Sequence, residues 1–129
     1  PLTAPNLWAL VEARAEATPD AEMLVDETGA RMTFAEYKAA AERMAAGFQR
    51  MGIGAGDVVT WELPTWLDTV VLAAALSRLG VIQNPIIAIY REREVTFCVR
   101  QCGAKLLITP GATPSFDFGA MGAAIAAEV

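Results

Sequence analysis

The sequence predicts an α/β domain with an open, mostly parallel sheet and flanking helices, preceded by a helix and a short β-hairpin. Three observations carry that expectation. Short apolar runs rich in β-branched residues alternate with segments of helical period and recur ~20–25 residues apart, as parallel strands joined by right-handed crossovers would. Gly and Pro stand at the ends of these segments, where turns and caps need them. Of the 129 residues, 54 % are hydrophobic and 25 are Ala, a composition that favours packed helices over a bulky core.

The elements follow in order. Leu7 to Ala17 reads as a helix with Asn6 as N-cap, Leu7, Leu10 and Val11 on one face, and Thr18-Pro19 as its stop. Glu22 to Asp26 and Arg31 to Thr33, separated by Thr28-Gly29, read as a hairpin of two short strands. Thr33 with Glu36 three residues on forms a capping-box pattern. Phe34, Tyr37, Ala41, Met44, Ala45, Phe48 and Met51 then recur at helical spacing, ending where Gly52 can take the left-handed conformation. Val58 to Trp61 reads as a buried strand closed by Leu63-Pro64. Thr65 and Asp68 open the next helix, Trp66 to Leu79, which Gly80 ends.

Val81 to Asn84 is the next strand, ended by Pro85. Glu92 to Gln101 is a helix with Val95, Cys98, Val99 and Cys102 on one stripe and Gly103 as its stop. Lys105 to Thr109 is a third strand. Residues 111–118 read as loop, and Ala120 to Val129 as an alanine-rich helix of low amphipathicity. The chain therefore divides into a helix-and-hairpin segment over 1–33, an αβαβαβ unit over 34–110, and a loop with a final helix over 111–129.

Composition excludes several chemistries. The chain has no His, which removes Ser-His-Asp and Cys-His nucleophile systems, His-ligated metals and a His general base. A net charge of -5 without a basic stripe argues against a nucleic-acid partner. The best candidate for a transmembrane segment, Thr69 to Ser77, lies between Asp68 and Arg78 and is too short to be one. No signal-peptide pattern opens the chain, and a start at Pro1 fits removal of an initiator Met or a boundary set elsewhere. Cys98 and Cys102, four residues apart on one helical face, read as reduced packed thiols, with a metal site as the alternative; reduced thiols suit a cytoplasmic location.

Other candidates each carry two readings. Gly52-x-Gly54-x-Gly56 precedes a strand, whereas a dinucleotide fingerprint follows one, so it reads as turn; no Gly-Lys-Ser/Thr phosphate loop occurs. Asp26-Glu27 read as solvated turn charges against a catalytic carboxylate pair. Arg91 and Arg93 read as part of a solvated helix start against a phosphate contact. Trp61 and Trp66 read as core indoles against a ligand wall at a strand's carboxyl end. No residue is assigned a catalytic, cofactor-binding or metal-binding role on these grounds.

Five motifs in order resemble the opening of adenylate-forming enzymes, the acyl-CoA synthetase family. They are Asn6 to Leu10 with Ala17-Thr18-Pro19-Asp20; Met32 to Tyr37; Met51 to Val59; Glu62-Leu63-Pro64 with Ser77 to Pro85; and Gly103 to Ile108. Gln83 to Val95 looks like bacterial CoA ligases for fatty or cyclic carboxylic acids. Thr65 stands where relatives commonly show Asn, and a Thr still caps a helix.

The resemblance implies a partial N-terminal subdomain of the acyl-CoA synthetase fold. Its parent would activate a carboxylate with ATP and magnesium and pass the acyl group to CoA. The phosphate loop, nucleotide contacts and catalytic Lys of that family match no position here. The chain alone is therefore expected to be inactive, with the downstream part of the parent as its partner. Self-association as a dimer is expected from an unpaired sheet edge. Two alternatives are a free-standing non-catalytic α/β interaction module and a small nucleotide-binding protein.

Overall fold

A computed structural model of the chain describes residues 4–129; Pro1, on which the initiator-Met expectation falls, lies outside them. The described residues form two compact units, one of residues 4–55 with Thr65–Val81 and one of Gly56–Pro64 with Ile82–Val129.

The first unit is helical, with a hairpin. It holds α1 (Leu7–Ala17), β1 (Glu22–Val25), β2 (Arg31–Thr33), α2 (Phe34–Arg50) and α3 (Leu67–Arg78). The Asn6 side chain accepts the Ala9 N–H at 2.9 Å and satisfies a donor that the first turn of α1 leaves free. The stripe that α1 buries is Trp8, Val11 and Ala15. Leu7, expected on the buried face, is 49 % exposed: the i, i+3, i+7 spacing starts one residue later, at the larger indole. The Arg78 guanidinium lies 4.6 Å from the Trp8 ring centroid.

The capping box at α2 forms as expected. Thr33 Oγ1 accepts the Glu36 N–H at 3.2 Å, and the Glu36 carboxylate accepts the Thr33 N–H at 2.8 Å. Tyr37, Ala41 and Ala45 are the buried face of α2. Met51 belongs to the predicted stripe by spacing but sits at the C-cap, 63 % exposed. Ala41, Ala45, Ala74 and Ala75 form the closely packed seam of the core, with Trp8, Val11, Tyr37 and Val71 around it. The Tyr37 hydroxyl donates to Val70 O at 3.2 Å, so the buried ring keeps its polar tip satisfied.

Helix α3 begins at Leu67 with Trp66 as N-cap and no side-chain cap bond, so the expected Thr65 cap does not form. Its C-terminus closes through Gly80 at φ +70°. The Gly80 N–H donates to Ser77 O at 3.2 Å and the Val81 N–H to Leu76 O at 3.1 Å. A Cβ on Gly80 would lie 3.3 Å from Ala55 Cβ, so conformation and space both require glycine there.

The second unit carries the parallel sheet. β3 (Val58–Trp61) lies between β4 (Ile82–Pro85) and β5 (Leu106–Ile108), all parallel, with α4 (Glu92–Cys102) and α5 (Phe118–Glu128). The α/β expectation holds, with two register corrections. Pro85, expected to end β4, pairs with Trp61 as its last residue; β4 is an edge strand, where a missing N–H is tolerated. Phe118, expected in a loop, is the buried first residue of α5. The Asp117 side chain caps that helix by accepting the Ala120 N–H at 2.8 Å. Phe118, Met121 and Ile125 pack with Val95 and Val99 of α4. Among the described residues no helix is long and apolar enough to cross a membrane.

Replacing Thr33 by Ala is expected to cost about 1 kcal/mol. Gly80→Ala is expected to cost more than ~1 kcal/mol, because its backbone conformation is incompatible with a side chain. Urea unfolding midpoints of the two variants check both values and their order.

Candidate functional site

The carboxyl ends of parallel strands are where open α/β sheets usually receive ligands, and here that end holds a buried polar cluster. β3 is the central strand, and Val59 and Thr60 at its middle are buried. Thr60 and Glu62, two residues apart and therefore on one face, are both 0 % exposed.

Thr60 is satisfied. Asn84 Nδ2 donates to Thr60 Oγ1 at 3.1 Å and to Cys102 Sγ at 3.4 Å, and Thr60 Oγ1 lies 3.5 Å from Cys102 Sγ. Cys102 Sγ also donates to Val99 O at 3.7 Å. On the other face Trp61 Nε1 donates to Gln83 Oε1 at 3.3 Å. These bonds tie β3, β4 and the end of α4 together and leave no reactive group free.

Glu62 differs. Its N–H donates to Ile108 O at 2.9 Å, while both carboxylate oxygens are buried without a hydrogen-bond partner. Burial pushes the carboxyl up to about 7, against a smaller opposing pull from the Arg91 guanidinium. A carboxyl poised near neutrality can take up or release a proton at physiological pH. In the sequence Glu62 stands out only as part of Glu-Leu-Pro. Its one further signal is the even spacing from Thr60 at the end of an apolar run.

The other candidates fall apart in space or into structural roles. The Asp26 carboxylate accepts from the Thr28 hydroxyl at 2.7 Å, the Thr28 N–H at 2.9 Å and the Ala30 N–H at 3.0 Å. These bonds, the hydroxyl foremost, hold it below the usual carboxylate range, and Asp26 shapes the hairpin turn. Gly52 follows α2 and Gly56 precedes β3, both at positive φ, as the turn reading requires.

Trp66 is 45 % exposed, so core packing does not hold for it; Trp61 is half-buried. Cys98 and Cys102 share a helix face but not an environment, because Cys102 joins the Thr60 cluster while Cys98 lines a shallow groove beside Tyr90 and Phe97. Among the described residues no group of three or more His, Cys, Asp or Glu could hold a metal ion.

Arg91 is exposed, as the solvated reading has it, and it also makes contacts of its own. Its guanidinium lies 4.4 Å from the Phe116 ring centroid and 5.3 Å from that of Phe118, and Nη1 donates to Tyr90 O at 2.6 Å and Ala88 O at 3.2 Å. Arg93 is exposed on the first turn of α4. An open groove of about 910 Å³ lies along α4, where two acids, Glu92 and Glu128, and two bases, Arg93 and Arg100, surround Phe97. No nucleophile or carboxylate pair converges there.

Residues 11–127 match the model of a family described as AMP-binding enzyme. The medium-chain fatty-acid–CoA ligase of Escherichia coli K12 is 31 % identical over 96 residues, covering 74 % of this chain and 17 % of that protein. The 2-hydroxy-7-methoxy-5-methyl-1-naphthoate–CoA ligase of Streptomyces carzinostaticus is 33 % identical over 107 residues, covering 83 % of this chain and 19 % of that protein. Among solved structures, the N-terminal domain of FACL13 from Mycobacterium tuberculosis superposes with a TM-score of 0.81 at 27 % identity, over 98 % of this chain and 30 % of that domain. The chain thus spans under a fifth of the length of these two curated relatives.

Glu62 sets a pH dependence of stability. Its folded value, about 7, lies above the ordinary 4.5. The folded state therefore binds the proton more tightly, and its contribution is complete below about 4.5 and lost as pH rises through 7. Glu62→Gln is expected to flatten that fall, and urea midpoints of parent and variant at several pH values between 4.5 and 8 check it.

Proposed function

The chain belongs to the AMP-binding enzyme family, and from that premise we propose that it is the N-terminal piece of an ATP-dependent carboxylate–CoA ligase. The parent forms an acyl-adenylate from a fatty or cyclic carboxylic acid and transfers the acyl group to the CoA thiol. The observation that carries this reading is the family match across residues 11–127 of a chain that covers less than a fifth of the two curated relatives named above.

The residues present do not fit ATP, magnesium or CoA by themselves. No glycine-rich turn leads from a strand into a helix: Glu62 to Trp66 after β3, Ile86 to Arg91 after β4 and 109–117 after β5 carry one glycine between them, Gly111. That is too few to bring backbone N–H groups around a phosphate. The groups that hold nucleotide and metal therefore lie downstream in the parent, and this piece supplies framework.

The 129-residue chain, given ATP, magnesium and a fatty or aromatic carboxylate, is expected to release no pyrophosphate. The same chain continued into its downstream sequence is expected to release it. Pyrophosphate release by the short chain overturns the reading. Alone, the chain leaves β4 and β5 with unpaired outer edges, and we propose that it self-associates as a dimer. Light scattering that finds a monomer at high concentration contradicts that.

A further inference from the structure

The strand edges give the self-association proposed above little to hold. β4 has four residues and ends in Pro85, and β5 has three; short edges, and proline on an edge, are poor templates for a further strand. A helical face in the same unit offers more.

On α4, Arg93, Phe97, Arg100 and Gln101 are exposed at a spacing that sets them on one face, while Val95, Thr96 and Val99 are buried. Phe97, in the middle of that face, is 62 % exposed. Its ring stands between two grooves. One, of about 910 Å³, is bounded by Glu92, Arg93, Arg100 and Glu128; the other, of about 530 Å³, by Tyr90, Glu94 and Cys98. An aromatic ring left out of the core beside open hollows is the usual form of an interface anchor.

The distribution of charge identifies the occupant. The larger groove holds one acid and one base at each end: Glu92 and Arg93 on the first turn of α4, and Arg100, on its last turn, paired with Glu128 at 2.7 Å. Neither Glu92 nor Arg93 enters an ion pair among the described residues. These four charges cancel in a chain of net charge -5, so two copies approach here with less repulsion than elsewhere. Across a two-fold axis every contact is made twice, in reciprocal form. With one α4 antiparallel to the other, the Glu92–Arg93 end of each groove faces the Arg100–Glu128 end of the other copy. Acid then meets base at both ends, and the surface is complementary to itself.

We propose that the chain dimerises through α4, antiparallel about a two-fold axis, with each Phe97 ring entering the larger groove of the other copy. Arg93 of one copy pairs with Glu128 of the second, and Glu92 with Arg100. The inference rests on the self-association proposed above and transfers it from the strand edges to a helix face.

Sedimentation velocity of the 129-residue chain over a concentration series is the test. Phe97→Ser is expected to raise the dimer dissociation constant ~30-fold, as loss of a central aromatic anchor does. Arg93→Glu sets a like charge against Glu128 in both copies and is expected to raise it ~10-fold or more, and Glu128→Arg is expected to do the same against Arg93. An equal mixture of the two charge variants is expected to regain the dimer, and so is the double variant Arg93→Glu with Glu128→Arg, because opposite charges face each other again. A dimer indifferent to Phe97→Ser and Arg93→Glu, or charge variants that mixing does not rescue, overturns the α4 interface while self-association stands. A monomer at high concentration overturns both. Should a variant fail to fold, isotope-filtered NMR on an equal mixture of labelled and unlabelled parent chain decides. Contacts from the Phe97 ring to the Arg100 side chain of the other copy support the interface, and a dimer that lacks them overturns it.

Discussion

Everything in the sheet unit hangs on the placing of β3 between two parallel partners. Its backbone is used on both sides, and the pairing runs past its ends: Ile82 N–H donates to Asp57 O, Lys105 N–H to Val58 O, Ile86 N–H to Trp61 O and Glu62 N–H to Ile108 O. Parallel neighbours need crossover connections, and within this unit α4 packs against β3. Val59, Thr60 and Glu62 have zero exposure. A polar side chain on this strand must find a partner within the protein or stay unpaired.

The first unit meets a different constraint. Two helices, α2 and α3, approach through alanines at positions 41, 45, 74 and 75, and small residues leave larger side chains at the margins to fix the arrangement. Trp8, Tyr37 and Val71 do that, with the Tyr37 hydroxyl bonded to a backbone carbonyl and Arg78 lying over the Trp8 ring. Arg78 also approaches Glu12 at 3.8 Å and Glu42 at 3.6 Å, all three half-exposed. Such pairs contribute ~0–1 kcal/mol each, so the packed alanines and the rings carry the unit.

Local signals were the legible part of the sequence. The Asn6 cap, the Thr33–Glu36 box and the helix-ending glycines report interactions between near neighbours, and the elements they bound appear within a residue or two of expectation. Features set by tertiary context were less legible. Which residue of the α1 stripe faces inward depends on where the Trp8 indole finds room. Pro85 remains in β4 because β4 is an edge, a property of strand order that spacing does not express. Phe118 starts a helix because Asp117 can cap it and Val95 and Val99 receive its ring. The site was least legible: Glu62 looks unremarkable until tertiary packing encloses it, and nothing in the spacing announces that the exposed Arg91 lies over Phe116 and Phe118.

Two buried polar groups on one face of β3 can be told apart by whether they are satisfied. Thr60 sits in a closed set of bonds with Asn84 and Cys102, which joins adjacent strands to α4 and gains nothing from a change of state. Glu62, two residues on, has two oxygens and no partner. A carboxyl left so would be replaced by an apolar side chain at no loss if rigidity were its only office, since well-packed apolar residues match or exceed buried ionisable ones in stability. Satisfaction, rather than burial, is therefore what separates the two side chains on this strand.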